Sequence, residues 1–297
     1  MKSGLFILLA LSLCGCLKFQ QDPLTEVPSS ATFLEMDGHR IRYVDEGKGP
    51  VVLLIHGFGS NLGVWDHVRK RLKKEHRVIA IDLLGFGYSD RPKADYSHGA
   101  QARRVVAIMD RLGVKKAALV GHSWGAAVAL ELARAQPKRI TRLALYTAWV
   151  YANQQPTLFY WSRASGVGEA LIWLFYSEQA EKRLEQSFYN PERLSHQMVV
   201  ETEAAMARDG AGAVALAVVR GQRFEESEKH YHEVKQPTLI LWGRQDHIAL
   251  LSVGVRLSNQ LPKARLKVFE QCGHFTMLEA PNSTLVLADF LAQENGS

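Results

Sequence analysis

Six short apolar runs rich in β-branched residues recur along the chain, and helical patterns separate most of them. These runs are almost continuously apolar, so each is predicted to be a strand that is buried on both faces of a sheet. Strands that alternate with helices are joined by right-handed crossovers and build a parallel sheet with helices on both sides. The sequence therefore predicts an α/β fold with a mostly parallel, doubly wound sheet. The predicted strands are residues 51–55, 77–82, 117–121, 142–147, 238–243 and 265–270, and the helical patterns are residues 63–75, 101–113, 126–136 and 284–294.

Two segments depart from this alternation. Residues 32–47 alternate apolar and polar side chains around Asp37 and Gly38, a pair that supplies the positive φ angles of a tight hairpin. The stretch between Tyr146 and Thr238 lacks strand-like runs, carries helical patterns and is too long for a loop in a compact domain. We therefore expect an N-terminal antiparallel hairpin and a helical insertion.

The length and composition of the chain fit one large core with a smaller insertion. The chain has 297 residues, of which 47% are apolar and 22% are charged, as in a globular protein. The predicted core domain comprises residues 32–147 and 234–297. A predicted helical lid, residues 148–233, interrupts it.

The segment "GHSWG" (121–125) places one serine between two glycines, where a predicted strand ends and a predicted helix begins. Gly121 and Gly125 are needed at such an elbow because neighbouring backbone passes too close for side chains. The elbow holds its serine in a strained, outward-pointing conformation. Ser123 is therefore the predicted nucleophile.

A serine hydroxyl needs a base within hydrogen-bond reach, and that base needs a carboxylate to orient it. His274 follows the last predicted strand, in "EQCGHF", and strand ends at the carboxyl edge of a sheet are where such sites collect. Asp246, in "LILWGRQDHI", lies just past the preceding strand. The order Ser123, Asp246, His274 is that of a catalytic triad on this kind of sheet.

Acyl transfer also requires N–H donors for the oxyanion that develops in the transition state. The segment "HGFG" (56–59) follows the first parallel strand, and this loop supplies one such donor in elbow-type hydrolases. We therefore assign the two predicted donors of the oxyanion hole to the main-chain amides of Phe58 and Trp124.

By these motifs the chain resembles the lid-bearing, serine-dependent branch of the α/β-hydrolase fold family, over roughly residues 32 to 294. In the epoxide hydrolases and haloalkane dehalogenases of that branch the elbow residue is an aspartate, whereas this chain has Ser123. The resemblance implies hydrolysis without a cofactor or a metal ion. The motifs that carry it are "HGFGSNLGVWDHV", "DLLGFGYSDRP", "GHSWGAAVALELA", "GRQDHI" and "CGHF".

The predicted activity is hydrolysis of carboxylic esters with hydrophobic acyl or aryl groups, through an acyl-enzyme. Aromatic residues are frequent in the predicted lid and favour an apolar substrate. The alternatives are a carbon–carbon bond hydrolase of the meta-cleavage-product type, an aminopeptidase, and a non-catalytic binding protein. The aromatic residues are Trp149, Tyr151, Phe159, Tyr160, Trp161, Trp173, Phe175 and Tyr176.

The N-terminal residues indicate export. Residues 1–15 combine a lysine, a short apolar run and small residues, as a secretory signal peptide does. "LCGC" (13–16) resembles the bacterial lipobox, so Cys16 is the predicted lipidation site and residues 16–31 the predicted tether. The alternatives are a plain cleaved signal peptide and an uncleaved anchor. The sequence thus predicts a lipid-anchored protein of the bacterial cell envelope, with the outer membrane favoured because Leu17 replaces the aspartate of an inner-membrane retention signal.

Charge and cysteine content exclude some partners. The net charge of +6 arises from Lys and Arg residues scattered along the chain, without the focused basic patch that nucleic-acid binding requires. Removal of Cys14 with the signal peptide and acylation of Cys16 would leave Cys272 alone, so no intramolecular disulfide is expected. The sequence therefore predicts no nucleic-acid partner. The predicted partners are a hydrophobic ester substrate and, through the lipid anchor, a membrane. The sequence predicts no oligomeric state.

Overall fold

One eight-stranded sheet organises the residues that the structure, a computed structural model, describes: 27–175 and 180–293. The strands are β1 (Thr32–Met36), β2 (His39–Glu46), β3 (Val51–Ile55), β4 (Arg77–Ile81), β5 (Ala117–His122), β6 (Ile140–Tyr146), β7 (Thr238–Gly243) and β8 (Ala264–Phe269). Their order across the sheet is β1-β2-β4-β3-β5-β6-β7-β8. The β1–β2 and β2–β4 pairs are antiparallel, and all other pairs are parallel.

The predicted fold class is confirmed. Each of the six predicted strands overlaps an observed one: two have the predicted bounds, and the other four differ by one or two residues at their ends. The hairpin also forms where the sequence places it: Met36 pairs with His39, and the turn residues Asp37 and Gly38 have φ angles of 52° and 77°.

Both faces of the sheet are buried along its central strands, as their continuous apolar runs require. Along β3, Leu53 and Ile55 belong to one apolar cluster, whereas Val52 and Leu54 belong to the cluster on the opposite face. The helices that flank the sheet are α1 (Asp66–Leu72), α2 (His98–Arg111), α3 (Trp124–Ala135), α10 (Leu251–Gln260), α11 (Thr276–Glu279) and α12 (Asn282–Ala292). The sequence patterns did not include α10, which completes the strand–helix alternation between β7 and β8.

Helices also fill the chain between β6 and β7. They are α4 (Thr157–Trp161), α5 (Val167–Phe175), α6 (Ala180–Ser187), α7 (His196–Ala207), α8 (Ala211–Gly221) and α9 (Phe224–Ser227), with short 3-10 turns between some of them. We call residues 148–233 the helical insertion. Helix α8 joins it to the core, because Val214 and Val218 of this helix belong to the larger apolar cluster.

The predicted signal peptide and Cys16 lie outside the described residues, as does most of the predicted tether. Residues 27–30 of the tether are exposed. Across residues 27–175 and 180–293, none of the helices has both the length and the apolar character that crossing a membrane requires. Cys272 is a buried free thiol.

Candidate active site

Ser123 lies in a sharp turn between the end of β5 and the start of α3. Its φ and ψ angles are 51° and −120°, a conformation that costs a residue with a side chain about 1–3 kcal/mol. Hydrogen bonds hold the turn: the N–H of Ser123 donates to the carbonyl oxygen of Tyr146 at 2.9 Å, and its own carbonyl oxygen accepts from Trp149 at 3.0 Å. The backbone therefore has the geometry of a nucleophile elbow.

The two glycines of the elbow are required by close approach of the backbone. A Cβ atom at Gly121 would lie 2.7 Å from the carbonyl oxygen of Gly125. A Cβ atom at Gly125 would lie 2.4 Å from the carbonyl oxygen of His56. Both neighbours are main-chain atoms, so no side-chain rotation can relieve either contact. The structure thus gives the reason for the spacing seen in the sequence.

Asp246 and His274 form a buried hydrogen-bonded pair next to the elbow. Nδ1 of His274 lies 2.8 Å from Oδ2 of Asp246. The other carboxylate oxygen, Oδ1, accepts the N–H groups of Ile248 and Ala249, both at 2.8 Å. Because a carboxylate only accepts, Nδ1 of His274 carries the proton and Nε2 presents its lone pair. This tautomer is the one that a general base needs.

The main chain of His274 is held as firmly as its ring. Its carbonyl oxygen accepts hydrogen bonds from Nε2 of His122 at 3.0 Å and from Oγ1 of Thr147 at 2.8 Å. Burial lowers the pKa of His122 well below its ordinary value, and the neighbouring His274 lowers it further. His122 is therefore neutral at pH 7 and donates through Nε2. Sequence reasoning missed this role, because the residues involved lie far apart in the chain.

The loop after β3 packs against the elbow. The N–H of Leu83 donates to Nε2 of His56 at 3.0 Å, so the ring proton sits on Nδ1 and points to the carbonyl oxygen of Gly57 at 2.7 Å. Burial lowers the pKa of His56, which keeps the ring neutral. A Cβ atom at Gly57 would lie 3.0 Å from Cβ of Ser123. His56 thus fixes the loop beside the serine, although sequence reasoning treated it only as part of "HGFG".

The two residues predicted to donate to the oxyanion adjoin the elbow, because Phe58 follows Gly57, which packs on Ser123, and Trp124 follows Ser123 itself in the chain. Phe58 belongs to the loop that packs on the elbow and lines the adjoining cavity. Trp124 begins α3, and its buried indole Nε1 donates to Oε1 of Gln222 at 3.0 Å. The role of the two main-chain amides stays a prediction, as do the catalytic roles of the triad residues.

Ser123 and His274 line a cavity of about 560 Å³ between the sheet and the helical insertion. The volume lies in the range of small-molecule sites. The insertion contributes most of the wall, and many of its lining residues are apolar: Trp149, Pro156, Leu158, Phe159, Leu171, Ile172, Ala180, Leu184, Met206, Ala215 and Val219. Arg183 is a positively charged residue among those that line the cavity, and it is also exposed to solvent.

The aromatic residues noted in the predicted lid lie in different environments. Trp149 and Phe159 line the cavity, and their rings contact each other at 5.6 Å between centroids. Tyr151 is fully buried in the larger apolar cluster. Tyr160 and Trp161 are exposed. The side chains of Trp173 and Phe175, and the whole of Tyr176, lie outside what the structure describes. The expectation of an apolar pocket therefore rests on two of these side chains together with the aliphatic ones.

No metal site is evident within residues 27–175 and 180–293. Among these residues, no three His, Cys, Asp or Glu side chains are grouped so that they could hold a metal ion. Hydrolysis without metal or cofactor stays a prediction.

A sequence profile of the alpha/beta hydrolase fold family matches residues 50–281, which include the elbow, the acid and the histidine. The chain belongs to the alpha/beta hydrolase fold family. It is therefore a hydrolase by family, and its fold and elbow agree with that membership. The profile does not distinguish between the bonds that members of the family cleave.

Two curated relatives from bacteria align over most of the chain. A 2-hydroxymuconate semialdehyde hydrolase from Pseudomonas sp. (strain CF600) is 32% identical over 274 residues, which cover 88% of this chain and 93% of the relative. A 2-hydroxy-6-oxo-6-phenylhexa-2,4-dienoate hydrolase from Comamonas testosteroni is 30% identical, with 85% of this chain and 91% of the relative covered.

Solved structures of different activities are also similar. A meta-cleavage product hydrolase from Pseudomonas fluorescens IP01 has a TM-score of 0.75 and 26% identity, over 88% of this chain and 97% of that chain. A membrane phospholipase A, described as a bacterial virulence factor, has a TM-score of 0.73 and 27% identity, over 91% of this chain and 87% of that chain. The fold is thus shared by enzymes that cleave different bonds.

Proposed function

We propose that the protein is a serine hydrolase of carboxylic esters with hydrophobic acyl or aryl groups. The observation that carries the proposal is a strained Ser123 in the wall of a largely apolar cavity that also contains His274, whose ring Asp246 orients. A cavity of this composition stabilises apolar groups and leaves few partners for a sugar or a charged peptide.

Ester cleavage follows from this arrangement in two steps. Oγ of Ser123 attacks the carbonyl carbon of the ester while Nε2 of His274 takes its proton, and the amides of Phe58 and Trp124 donate to the oxyanion. The intermediate collapses when the imidazolium gives that proton to the leaving alcohol, and the acyl group remains on Ser123. A water molecule then attacks the acyl-enzyme, with His274 again as the base, and releases the acid. Asp246 accepts the hydrogen bond from Nδ1 of His274 throughout and stabilises the imidazolium.

The helical insertion is the proposed lid of this site. Its helices α4 to α8 all contribute residues to the cavity wall. A substrate that fills the cavity would therefore be enclosed by the insertion on one side and by the elbow on the other. Exclusion of water strengthens the hydrogen bonds to the oxyanion.

Carbon–carbon bond hydrolysis is the second candidate, because curated relatives at 30–32% identity are hydrolases of that kind. The name of one relative states that it acts on a dienoate, which carries a carboxylate. Arg183 in the cavity wall would suit such a group. The elbow, the histidine and the acid serve both reactions, so the bond that is cleaved depends on the substrate that the cavity accepts.

We also propose that acylation of Cys16 anchors the protein in the bacterial cell envelope. The exposed residues 27–30 are consistent with a tether that leads away from the folded domain. A triacylated cysteine attaches stably to a bilayer, in contrast to a single acyl chain. The anchor would hold the apolar cavity near lipidic esters.

The decisive experiment measures turnover of p-nitrophenyl butyrate, octanoate and palmitate by the full-length protein. Wild type should hydrolyse at least one of them, and Ser123→Ala should lower kcat by about 10⁴-fold or more, with an unchanged circular dichroism spectrum. Ser252→Ala, which changes an exposed serine of α10, is the matched control and should keep wild-type kcat. Turnover by folded Ser123→Ala at the wild-type rate would refute the proposal. Turnover of a dienoate but of no ester would favour the second candidate.

A further inference from the structure

Glu279, the last residue of α11, is a buried carboxylate that joins two segments of the chain. Its Oε1 accepts the N–H of Tyr189 at 2.8 Å and the N–H of Asn190 at 3.1 Å. Its Oε2 accepts the N–H of Gly273 at 2.7 Å. One side chain therefore holds three main-chain amides, none of which lies within five residues of it in the sequence.

The two segments that Glu279 joins are the helical insertion and the loop between β8 and α11 that carries His274. We call this loop, residues 270–275, the histidine loop. Tyr189 and Asn190 follow α6 in the insertion. Gly273 immediately precedes His274. A further bond runs between the same segments, because the N–H of His274 donates to the carbonyl oxygen of Ser187 at 2.8 Å. Two successive amides of the histidine loop are thus held by the insertion, directly or through Glu279.

The two segments are in direct contact. A Cβ atom at Gly273 would lie 2.7 Å from the carbonyl oxygen of Ser187 and 2.7 Å from the main-chain nitrogen of Tyr189. Only a glycine allows this approach, because both neighbours are main-chain atoms. The histidine loop therefore has its position defined on one side by Asp246 and on the other by the insertion.

We propose that Glu279 is a positioning residue for His274, which couples docking of the helical insertion to alignment of the imidazole with Ser123. The inference rests on the proposed function, in which His274 is the general base. It extends that function, because the insertion then supports the general base in addition to forming most of the cavity wall. Helix α6, which leads into the contacted segment, lines the cavity through Arg183 and Leu184, so the wall and the base share one support.

The chemistry of the carboxylate suits this role. An ionised carboxylate accepts on both oxygens, so it satisfies all three amides at once. A glutamine in its place would keep one oxygen, and its NH₂ group would face an N–H group on the other side. Burial raises the pKa of Glu279 and nearby Asp246 adds to the increase, whereas the three amides oppose it.

The test compares Glu279→Gln with two controls in the full-length protein. Glu270→Gln makes the same change at an exposed residue at the start of the histidine loop itself, where the side chain pairs with Arg244. Glu169→Gln removes an exposed ion pair to Arg220 inside the insertion without touching the histidine loop. The measured quantity is the second-order rate of Ser123 labelling by a fluorophosphonate, which depends on the base and not on the natural substrate.

Glu279→Gln should lower this labelling rate, and kcat for a p-nitrophenyl ester, by about tenfold or more, because small displacements of a catalytic group cost one to two orders of magnitude. KM should stay within about twofold, since Glu279 does not itself line the cavity and the bond from the N–H of His274 to Ser187 still joins the insertion to the loop. Both controls should stay within about twofold of wild type in all three quantities. A folded Glu279→Gln protein that is labelled at the wild-type rate would overturn the proposal.

A proton NMR measurement separates the positioning role from the proposed function. The downfield resonance of the Nδ1 proton of His274 reports its bond to Asp246, whether or not any ester is hydrolysed. It should broaden or shift in Glu279→Gln and remain in both controls. If wild type is not labelled and hydrolyses no ester, the proposed function fails, and this resonance alone decides for or against the role of Glu279.

Glu279→Asp replaces Glu279→Gln if the latter does not fold. Aspartate keeps the charge but is shorter by one methylene group, so it cannot reach both segments. The same loss of labelling rate and the same change in the resonance are expected. Wild-type values for both would reject the proposal.

Discussion

The α-carbon of Gly125 faces the carbonyl oxygen of His56 so closely that an added methyl group would lie 2.4 Å from that oxygen. The contact joins the elbow of Ser123 to the loop that carries Phe58. We predict that Gly125→Ala pushes the two apart, which lowers kcat by about 10²-fold and the free energy of unfolding by about 1–3 kcal/mol. Ester turnover and urea unfolding measure the two effects. Gly99→Ala is the control, because the only neighbour of its methyl group is the flexible end of Arg103 at 3.9 Å; a wild-type kcat for Gly125→Ala would contradict the prediction.

Asp246→Asn should invert the tautomer of His274. The amides of Ile248 and Ala249 donate to Oδ1 at 2.8 Å, so the asparagine oxygen remains on that side and its NH₂ group faces Nδ1 of the imidazole. The ring proton must then move to Nε2, where it blocks the acceptance of a proton from Ser123. We expect kcat to fall by about 10⁴-fold with little change in fold.

Kinetics on the same p-nitrophenyl ester, together with circular dichroism, test this expectation. Asp289→Asn, at an exposed position of α12, is the matched control and should behave like wild type. A loss of less than about tenfold in Asp246→Asn would mean that another group orients the histidine.

Stability should decrease in acid because two buried histidines resist protonation. Burial lowers the pKa of His56 and of His122 below the ordinary 6.5. Between the lowered value and about pH 6.5 the unfolded chain binds more protons, so the free energy of unfolding falls as the pH falls, by up to about 1.4 kcal/mol per pH unit for each residue. Urea unfolding at a series of pH values from 8 to 5 measures the slope. His56→Gln should reduce it, whereas the exposed His232→Gln should not; an equal slope in all three proteins would contradict the assignment.

The elbow was predictable from the sequence because its determinants are local. Gly121, Ser123 and Gly125 lie within five residues, and the reason for each glycine is a main-chain contact that the strand–turn–helix geometry imposes. Asp246 and His274 were found because the carboxyl ends of parallel strands meet at one edge of the sheet. The pairing of these two side chains over 28 residues followed from that rule.

The supports of the site were not predictable in this way. His122 donates to a carbonyl oxygen 152 residues away, and Glu279 accepts from amides 89 and 90 residues away. Nothing in the local pattern of a buried histidine or of a glutamate at the end of a short helix indicates such a partner. The first bond depends on how the end of β5 meets the loop after β8, and the others depend on how the insertion packs on the core. The period of apolar residues determines neither.

The proposed acylation of Cys16 predicts a simple labelling pattern. In a bacterial host supplied with an alkyne analogue of palmitate, wild type should take up the label and fractionate with membranes. Cys16→Ala should do neither, whereas Cys14→Ala should still be labelled, because only the last residue of the lipobox is acylated. Labelling of Cys16→Ala at the wild-type level would exclude Cys16 as the modified residue, and an unlabelled wild type would favour a plain cleaved signal peptide.

The charge of Arg183 should distinguish ester from dienoate substrates. Arg183 is an exposed arginine that lines a largely apolar cavity, so its charge favours a substrate carboxylate but adds little for a neutral ester. We expect Arg183→Leu to raise the ratio of kcat/KM for p-nitrophenyl butyrate to kcat/KM for a coloured dienoate by about tenfold, a modest factor because the side chain is partly solvated. Lys182→Leu removes the same charge from the exposed preceding residue, outside the cavity wall, and should leave the ratio unchanged. A lower ratio in Arg183→Leu would place the carboxylate elsewhere, and an equal fall for both substrates would show that Arg183 supports the shape of the cavity and not its charge preference.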